Sequence, residues 1–252
     1  MKRVFFVFFW FFLFSLSAFG FDRVVSLSPA LTDIVAYVGA GKKLVGVTVF
    51  CSGSVCRGKE RVGGIVNPNL EKIYSLHPDL VIATTMTPKR DVEALKRLGL
   101  KVLVFRLVSL EDVVNATGKL GELLSGGGED KGRELLRRIR EGALPLSRCL
   151  KGKRVVVVIS SRPLYVAGSR SYLGEILEMA GAEVLPDTTF SAISYEALVR
   201  LKPDLVISVG RGKFHPPENF KVVRVEPSDD LLHPSPRILR GVEEIRRAVC
   251  GR

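Results

Sequence analysis

Short apolar runs alternate with amphipathic segments along most of the chain. Seven runs rich in Val and Ile predict buried strands over 24–27, 44–48, 80–83, 102–105, 155–159, 205–209 and 222–225. Residues 32–40 and 174–182 have the spacing of amphipathic helices, and both end in Gly-Ala, with Gly at the helix C-terminus. Because helical segments and strands alternate, the sheets should be mainly parallel. The pattern predicts an α/β protein.

One stretch of this pattern occurs twice. Residues 70–82 read LEKIYSLHPDLVI, and residues 195–207 read YEALVRLKPDLVI. Each copy predicts a short helix, a Pro-Asp turn and a buried strand, with Asn69 and Ser194 as the N-caps of the two helices. The residue before each Pro should end the helix, because that position avoids the right-handed helical region. Two distant copies do not make a solenoid, so we predict two related lobes.

A helical connection is expected between the lobes. Ser109 and Asp112 form a predicted capping box at the start of one helix, and a second, highly charged helix follows. A helical connector is stiff, so a large hinge motion is not expected. We therefore predict two Rossmann-like lobes with mainly parallel sheets, joined by one long rigid helix. The predicted boundaries are 21–128 for the N-terminal lobe, 129–150 for the interlobe helix and 151–252 for the C-terminal lobe.

Residues 1–20 have the pattern of a secretory signal peptide. Lys2 and Arg3 precede an apolar run, and small residues precede a cleavage site after Gly20. A transmembrane anchor is the alternative, but the apolar run is shorter than the roughly 20 residues that span a bilayer. No Cys lies near the cleavage site. We therefore expect a periplasmic protein that is not a lipoprotein.

Composition changes this picture in two ways. The first 20 residues hold 8 of the 14 Phe and the single Trp, so the chain after Gly20 is poor in aromatic residues. The net charge is +12, and the basic residues are scattered among acidic ones, as on solvated helix faces. No nucleic-acid-binding module is recognisable. We expect no nucleic acid among the partners.

The chain has four cysteines, Cys51, Cys56, Cys149 and Cys250. An even number in an exported chain predicts disulfides, and four cysteines allow three pairings. The simplest choice pairs Cys51 with Cys56 across a short Ser/Gly loop and leaves Cys149 for Cys250. The three His are dispersed and none is next to a Cys, so the sequence predicts no metal site and no cofactor.

Familiar catalytic signatures are absent from the sequence. It contains no G-x-S-x-G, no P-loop, no G-x-G-x-x-G after a strand and no H-E-x-x-H. Open α/β sheets bind ligands in the crevice at the carboxyl ends of their strands. Two such lobes outside the cytoplasm favour a ligand-binding protein over an enzyme. An exported enzyme on the same two-lobe scaffold is the alternative from another class.

Several ordered motifs resemble those of one family. Residues 23–33 (RVVSLSPALTD), 45–48 (VGVT), 62–71 and 78–83 (PDLVIA) are similar to the N-terminal lobe of helical-backbone periplasmic binding proteins. These proteins serve ABC importers of cobalamin, ferric siderophores and haem. Residues 163–168 (PLYVAG), the Glu196 segment and Ser235-Pro-Arg resemble the C-terminal lobe. The resemblance covers residues 22–250 and is closest to the cobalamin-binding branch.

The resemblance implies a partner and a docking mode. In this family a carboxylate on each lobe docks onto arginines of the permease dimer in the inner membrane. Glu71 and Glu196 stand at those motif positions. The alternative is that each Glu only complements the dipole of its helix. The protein itself is expected to be a monomer.

The resemblance also implies a ligand and a set of contacts. A corrinoid such as cobalamin, or a similar metal chelate, is expected in the cleft. The candidate ligand-binding residues are Pro29, Phe50, Ile65, Thr84, Tyr165, Phe190, Asp229 and His233. Core or strand packing is the alternative for the three aromatic ones.

Two other ligands of the same importer type stay open. A ferric siderophore would use Arg side chains against its oxygens, and the candidates are Arg106, Arg162 and Arg211. Haem would use Tyr165 or His233 as an axial ligand.

Overall fold

The computed structural model describes residues 20–126, 128–210, 214, 216, 220–226 and 229–251. The predicted leader, apart from Gly20, and Arg211 lie outside these residues. The helices are α1 (Pro29–Tyr37), α2 (Leu70–Ser75), α3 (Lys89–Arg97), α4 (Leu110–Ser125), α5 (Gly128–Ala143), α6 (Ser147–Leu150), α7 (Tyr172–Met179), α8 (Tyr195–Leu201), α9 (Asp229–Leu232) and α10 (Ile238–Cys250). The strands are β1 (Val24–Ser26), β2 (Leu44–Val47), β3 (Glu60–Arg61), β4 (Leu80–Thr84), β5 (Val102–Phe105), β6 (Arg154–Ser161), β7 (Leu164–Ala167), β8 (Glu183–Leu185), β9 (Phe190–Ala192), β10 (Leu205–Ser208) and β11 (Val222–Arg224).

The first sheet, which defines the N-terminal lobe, is parallel throughout. Its strand order is β3-β2-β1-β4-β5. In the centre of the sheet, Val24 pairs with Leu80 and Ser26 with Ile82. The residues of β1 and β4 are buried on both faces. This burial explains why these strands have continuous apolar sequences instead of alternating ones.

The second sheet, which defines the C-terminal lobe, repeats this order and adds to it. Strands β8, β6, β10 and β11 lie side by side in parallel, in the order that β2, β1, β4 and β5 have in the first sheet. Strands β7 and β9 are antiparallel additions that the sequence pattern did not predict. Their segments, LYVA and FSA, lack a Val/Ile run. Strand β6 has eight residues, so β8 pairs with its first half and β7 with its second half. The α/β fold class is confirmed.

The repeated Pro-Asp pair performs the same task in both lobes. The Asp79 carboxylate accepts hydrogen bonds from the backbone N–H groups of Asp22, at 2.7 Å, and Arg23, at 3.1 Å, just before β1. The Asp204 carboxylate accepts one from the N–H of Arg154, at 2.8 Å, at the start of β6. Each Asp therefore holds the start of the first strand of its lobe, β1 or β6, next to the strand that directly follows the Asp, β4 or β10. The same structural role therefore accounts for the Pro-Asp pair in both copies of the repeat.

The ends of the two repeated helices confirm one prediction and refine another. The Asn69 side chain accepts from the N–H of Lys72, and the Ser194 hydroxyl accepts from the N–H of Ala197, so both N-caps are confirmed. The residue before each Pro does leave the right-handed helical region. However, His77 and Lys202 enter the left-handed region, with φ of 45° and 44°, and do not become extended.

Helices α4 and α5 pack closely against each other between the two sheets. A Cβ on Gly132 of α5 would lie 2.7 Å from the Val114 carbonyl oxygen and 3.3 Å from the Gly118 nitrogen. Only glycine permits this approach of the two backbones. The predicted Ser109–Asp112 capping box of α4 is confirmed. Burial acts to raise the pKa of Asp112, but hydrogen bonds from Ser109 and Val108 outweigh it and leave that pKa lowered.

The predicted interlobe helix is regular only over α5. A 3₁₀ turn follows at Leu144–Leu146, and α6 completes the connection. Pro145 accounts for the change, because it has no N–H to continue the helical hydrogen bonds. The lobe boundaries near residues 128 and 151 stay a prediction. No helix in the described ranges is long and apolar enough to span a membrane.

The structure contains two disulfides, Cys51–Cys56 and Cys149–Cys250. They match the simplest of the three pairings, which is thereby confirmed. The first closes the loop between β2 and β3. The second joins α6 to the end of α10.

We expect the two disulfides to contribute unequally to stability. The Cys149–Cys250 bond spans a sequence separation of 101 and the Cys51–Cys56 bond one of 5. In the chain-entropy model, replacing the first pair with Ser should lower the free energy of unfolding by about 4–5 kcal/mol, and replacing the second by about 2 kcal/mol. Urea unfolding of the oxidised proteins measures both. Equal losses would contradict the prediction.

We also expect the two Pro-Asp carboxylates to be equivalent. Asp79→Ala and Asp204→Ala should each lower the free energy of unfolding by about 1–2 kcal/mol, because backbone N–H groups lose a charged acceptor. Glu93→Ala is the matched control, since Glu93 only pairs with Lys96 one turn away at the surface and should change stability by about 0.5 kcal/mol or less. A loss at Asp79 or Asp204 no larger than that of the control would be the opposing result.

Candidate ligand-binding cleft

A cleft of about 630 Å³ lies between the lobes, at the carboxyl ends of the central strands. Thr84 ends β4, and Ile159 lies near the end of β6. The described residues that line the cleft are Ser28, Pro29, Ala30, Phe50, Ser52, Ile65, Thr84, Thr85, Met86, Leu107, Val108, Ile159, Tyr172, Phe190, Asp229, Leu232, His233 and Pro234. Most are apolar. The location is the one expected for open α/β sheets.

Two exposed apolar side chains lie in the N-terminal-lobe wall of the cleft. Phe50 is 63% exposed and Met86 is 66% exposed. The Phe50 ring lies over Gly64, where an added Cβ would approach the ring to 3.3 Å. Large apolar side chains this exposed are costly to hydrate. They are therefore suited to contact an apolar part of a ligand.

The loop that carries Phe50 is held by a disulfide and by one arginine. The Cys51–Cys56 bond closes the loop directly after Phe50. The Arg61 guanidinium donates to the carbonyl oxygens of Thr48, at 2.8 Å, and Cys51, at 3.0 Å. These contacts bracket Phe50 in sequence and restrict the loop at this edge of the cleft.

Tyr172 and Phe190 form the aromatic part of the C-terminal-lobe wall. Their ring centroids are 5.7 Å apart, with the rings tilted by 52°. The Tyr172 hydroxyl donates to the Leu231 carbonyl oxygen at 2.7 Å and ties α7 to α9. Burial raises the pKa of Tyr172, so this hydroxyl stays protonated and acts as a donor.

Few polar groups face the cleft from the described residues. The Thr84 hydroxyl oxygen is buried and has no hydrogen-bond partner among them, so it can bond to a ligand. His233 Nδ1 lies 2.6 Å from the Asp229 carbonyl oxygen, which can only accept, so we assign the proton to Nδ1. Asp229 and His233 are the acidic and basic side chains in the described lining, which includes no Lys or Arg.

The lobes are hydrogen-bonded to each other beside the cleft. The Glu175 carboxylate on α7 accepts from the backbone N–H of Leu110, at the start of α4, at 2.8 Å. The N–H of Tyr172 donates to the Val108 carbonyl oxygen at 2.9 Å. Burial raises the pKa of Glu175, and the Leu110 hydrogen bond opposes that rise. These bonds fix α7 of one lobe against the β5–α4 connection of the other.

The structure brings together most of the predicted ligand-binding residues. Pro29, Phe50, Ile65, Thr84, Phe190, Asp229 and His233 all line the cleft. Tyr165 does not; it lies on β7, partly exposed, outside the described lining. The contact of each with a ligand stays a prediction.

Sequence reasoning missed Met86 and Tyr172 among the lining residues. Met86 lies two residues beyond the end of β4, so continuing past the predicted strand end would have found it. Tyr172 opens α7 directly after its N-cap, Ser171. No signal in the sequence indicates that this helix start faces the other lobe.

The arginines considered for a ferric siderophore do not line the cleft in the described residues. Arg106 bonds to Asp112 at 3.1 Å. Arg162 is exposed and lies outside the lining. Across the described part of the chain, no three His, Cys, Asp or Glu side chains are grouped to hold a metal ion.

Glu71 and Glu196 lie in the first turns of α2 and α8, and both are exposed. Neither has an ion pair or side-chain hydrogen bond within the described ranges. Lys72, next to Glu71, instead pairs with Glu60 at 2.8 Å. Two carboxylates at equivalent places in the repeat are therefore left available to a partner.

Comparison with known proteins gives one family and several relatives. The family model described as "Periplasmic binding protein" matches residues 24–189. An uncharacterised ABC transporter substrate-binding lipoprotein, YvrC, of Bacillus subtilis is 29% identical over 253 residues, covering 90% of this chain and 79% of the relative. A vitamin B12-binding protein of Vibrio parahaemolyticus is 27% identical over 195 residues, covering 74% of this chain and 70% of the relative.

A solved structure shares the fold. It is described as a possible iron-binding, periplasmic solute-binding protein from Staphylococcus epidermidis. The TM-score is 0.74 at 22% identity, and the match covers 91% of this chain and 98% of the other. At this identity the similarity establishes the two-lobe fold alone.

The Bacillus subtilis relative corrects the predicted localisation. It is named a lipoprotein, which contradicts the prediction of a periplasmic protein cleaved after Gly20 without a lipid anchor. That prediction rested on Cys51 being the first cysteine. A lipid anchor modifies a terminal segment, so the packing of the lobes does not determine it. An extracytoplasmic location agrees with the family.

Proposed function

The chain belongs to the periplasmic binding protein family, and from this premise we propose that it captures a corrinoid in its interlobe cleft for an ABC importer. At the coarser level it is a solute-binding protein of the ABC importer type. The proposal concerns the ligand and the residues that hold it. The observation that carries it is the apolar cleft without Lys or Arg in its described lining.

The charge of the lining favours a ligand with little net negative charge. An anionic chelate or a carboxylate-bearing macrocycle is usually recognised by charge-assisted bonds from Arg or Lys. A corrinoid such as cobalamin has a flat apolar ring with neutral carboxamide side chains. Phe50, Met86 and Phe190 supply apolar contacts for the ring, and Thr84 supplies a hydrogen bond for an amide. The vitamin B12-binding relative supports the same ligand class.

The protein is proposed to bind and release its ligand without converting it. The cleft holds the ligand by apolar contact and a few hydrogen bonds, which is the mode of a binding pocket. An iron chelate or haem is the second candidate. His233 at the cleft favours haem, since imidazole is a common axial ligand of haem iron.

We propose that Glu71 and Glu196 dock the loaded protein onto the permease dimer. They are exposed, unpaired in the described structure, and placed equivalently by the repeat. A partner with two equivalent subunits matches two equivalent lobes. Charge pairs of this kind set orientation and association rate more than affinity.

We expect cyanocobalamin to form a one-to-one complex that Phe50 stabilises. Phe50→Ala should weaken binding about 5- to 30-fold, because an apolar contact of about 1–2 kcal/mol is lost. The matched control is Leu144→Ala, which removes an equally exposed side chain outside the cleft. Native mass spectrometry gives the stoichiometry and absorbance titration the affinity.

Parallel titrations with haem and a ferric siderophore complete this test. Tight binding of either, with none of cyanocobalamin, would replace the corrinoid by the second candidate. Conversion of the bound compound to a product would refute the binding role itself.

Reversing both docking charges should abolish uptake and leave ligand binding unchanged. Glu71→Lys with Glu196→Lys would place two positive charges against the arginines of the permease. The control is Glu93→Lys with Glu122→Lys, which makes the same change in net charge at two other exposed glutamates. Transport into vesicles or cells carrying the cognate permease is the readout. Normal uptake by the first double variant would exclude the docking role.

A further inference from the structure

One short segment forms a large part of the C-terminal-lobe wall of the cleft. Residues 229–236, here called the wall segment, contain α9 and contribute Asp229, Leu232, His233 and Pro234 to the lining. Helix α9 has only four residues, so its own hydrogen bonds hold it weakly. The position of this wall must depend on contacts with other elements.

Arg237, directly after the wall segment, touches both lobes with one side chain. Its Nε donates to Asp230 Oδ1 at 2.6 Å, within the wall segment. Its Nη1 lies 3.8 Å from Asp33 Oδ2 on α1 and donates to the Ser52 hydroxyl at 3.4 Å. Asp33 and Ser52 belong to the N-terminal lobe.

Ser235 adds a second link beside the first. Its hydroxyl donates to Asp33 Oδ2 at 3.3 Å, and it also accepts from the backbone N–H of Arg237 at 3.3 Å. Asp33 lies about one turn after Pro29 and Ala30, which line the cleft at the start of α1. We call these five residues, Asp33, Ser52, Asp230, Ser235 and Arg237, the interlobe latch.

The charged groups of the latch are largely shielded from water. The side chains of Arg237, Asp33 and Asp230 are 21%, 16% and 13% exposed. Burial acts to raise the pKa of Asp230, but hydrogen bonds from Arg240 and Arg237 outweigh it and leave that pKa lowered. At Asp33 burial prevails over Arg237, so its pKa is raised. A shielded charge network of this kind depends on each partner, because removing one leaves another buried and unpaired.

We propose that Arg237 is a positioning residue that sets the distance between the two walls of the cleft. On one side, its contacts with Asp230 and Ser235 hold the wall segment that carries His233 and Pro234. On the other side, its contacts with Asp33 and Ser52 hold it to the N-terminal lobe. The width of the cleft, and therefore the size of ligand that touches both walls, is set by the latch. The ligand part of this inference rests on the proposed function. The geometric part does not.

The test compares Arg237→Gln with Arg240→Gln. Arg240 also bonds to Asp230, at 2.7 Å, but makes no hydrogen bond to the N-terminal lobe in the described structure. Amide hydrogen exchange within the wall segment should become about tenfold faster in Arg237→Gln and change less than about twofold in Arg240→Gln. Arg237→Lys keeps the charge without the planar fork, and it should resemble Arg237→Gln. Similar exchange in wild type and both Arg237 variants would overturn the proposal.

Ligand binding is the second measurement. In Arg237→Gln, cyanocobalamin should dissociate about tenfold faster than in Arg240→Gln, and its preference over cobinamide, the smaller corrinoid without a nucleotide, should shrink. Simple loss of stability would not change the ratio of the two affinities. An unchanged ratio with unchanged dissociation would refute the positioning role. If the wild type binds no corrinoid, the proposed ligand fails, while the exchange measurement still decides whether the latch holds the wall.

Combining Asp33→Asn with Arg237→Gln tests whether the two residues affect hydrogen exchange in the wall segment through one shared contact or independently. Asn at position 33 keeps an oxygen that can accept from Ser235, so Asp33→Asn removes the charge that faces Arg237. If Asp33 and Arg237 act through one contact, the double variant should exchange no faster than Arg237→Gln alone, because Arg237→Gln has already removed that contact. Additive acceleration would show that Asp33 and Arg237 act independently, which would also overturn the proposal.

Discussion

The two lobes share one hydrophobic core, and the rest of the structure depends on this constraint. The largest cluster of buried apolar residues runs from the inner face of the first sheet, through α1, α4 and α5, to α7, α10 and the second sheet. Smaller cores lie on the outer face of each sheet and belong to one lobe each. Opening the lobes widely would expose the shared core, at a cost of about 25 cal/mol for each Å² of apolar surface. The cleft is therefore largely preformed, and we expect a ligand to enter it without a large hinge motion.

The polar contacts between the lobes restrict the lobe positions that the shared core allows. Glu175 and Tyr172 fasten α7 to the β5–α4 connection on one side of the cleft. Arg237 and Ser235 connect the wall segment to α1 on another. Apolar burial has no direction, whereas hydrogen bonds have fixed lengths and angles. The core therefore keeps the lobes together, and the polar contacts determine the distance between the walls.

The chemistry of the cleft follows from where the strands end. Parallel strands bring the loops after β1 and β4 to one edge of the first sheet, and Ile159, near the end of β6, lines the cleft from the second sheet. The loop after β2 adds Phe50, which directly precedes the Cys51–Cys56 disulfide. Apolar surface dominates there, with Thr84 as a buried hydroxyl still lacking a partner in the described structure. Such a site suits the large, mostly uncharged ligand that we propose for it. The carboxylates proposed for docking lie elsewhere, on α2 and α8, so the proposed capture and delivery use different surfaces.

The sequence by itself determined the α/β class, the repeated lobes and both N-caps. It also predicted the disulfide pairing as the simplest of three choices, and seven of its eight candidate ligand-binding residues line the cleft. The class, the repeat and the caps depend on local signals, namely Val/Ile runs and Asn69 and Ser194 before short helices, whereas the candidate cleft residues follow from the family resemblance. Only the tertiary structure decided that β7 and β9 are antiparallel, that Tyr165 lies outside the lining, and that Tyr172 lies inside it. It also decided that Arg237 contacts Asp33 and Ser52. Such pairings join residues that are distant along the chain, and their geometry exists only once the shared core has brought the two lobes together.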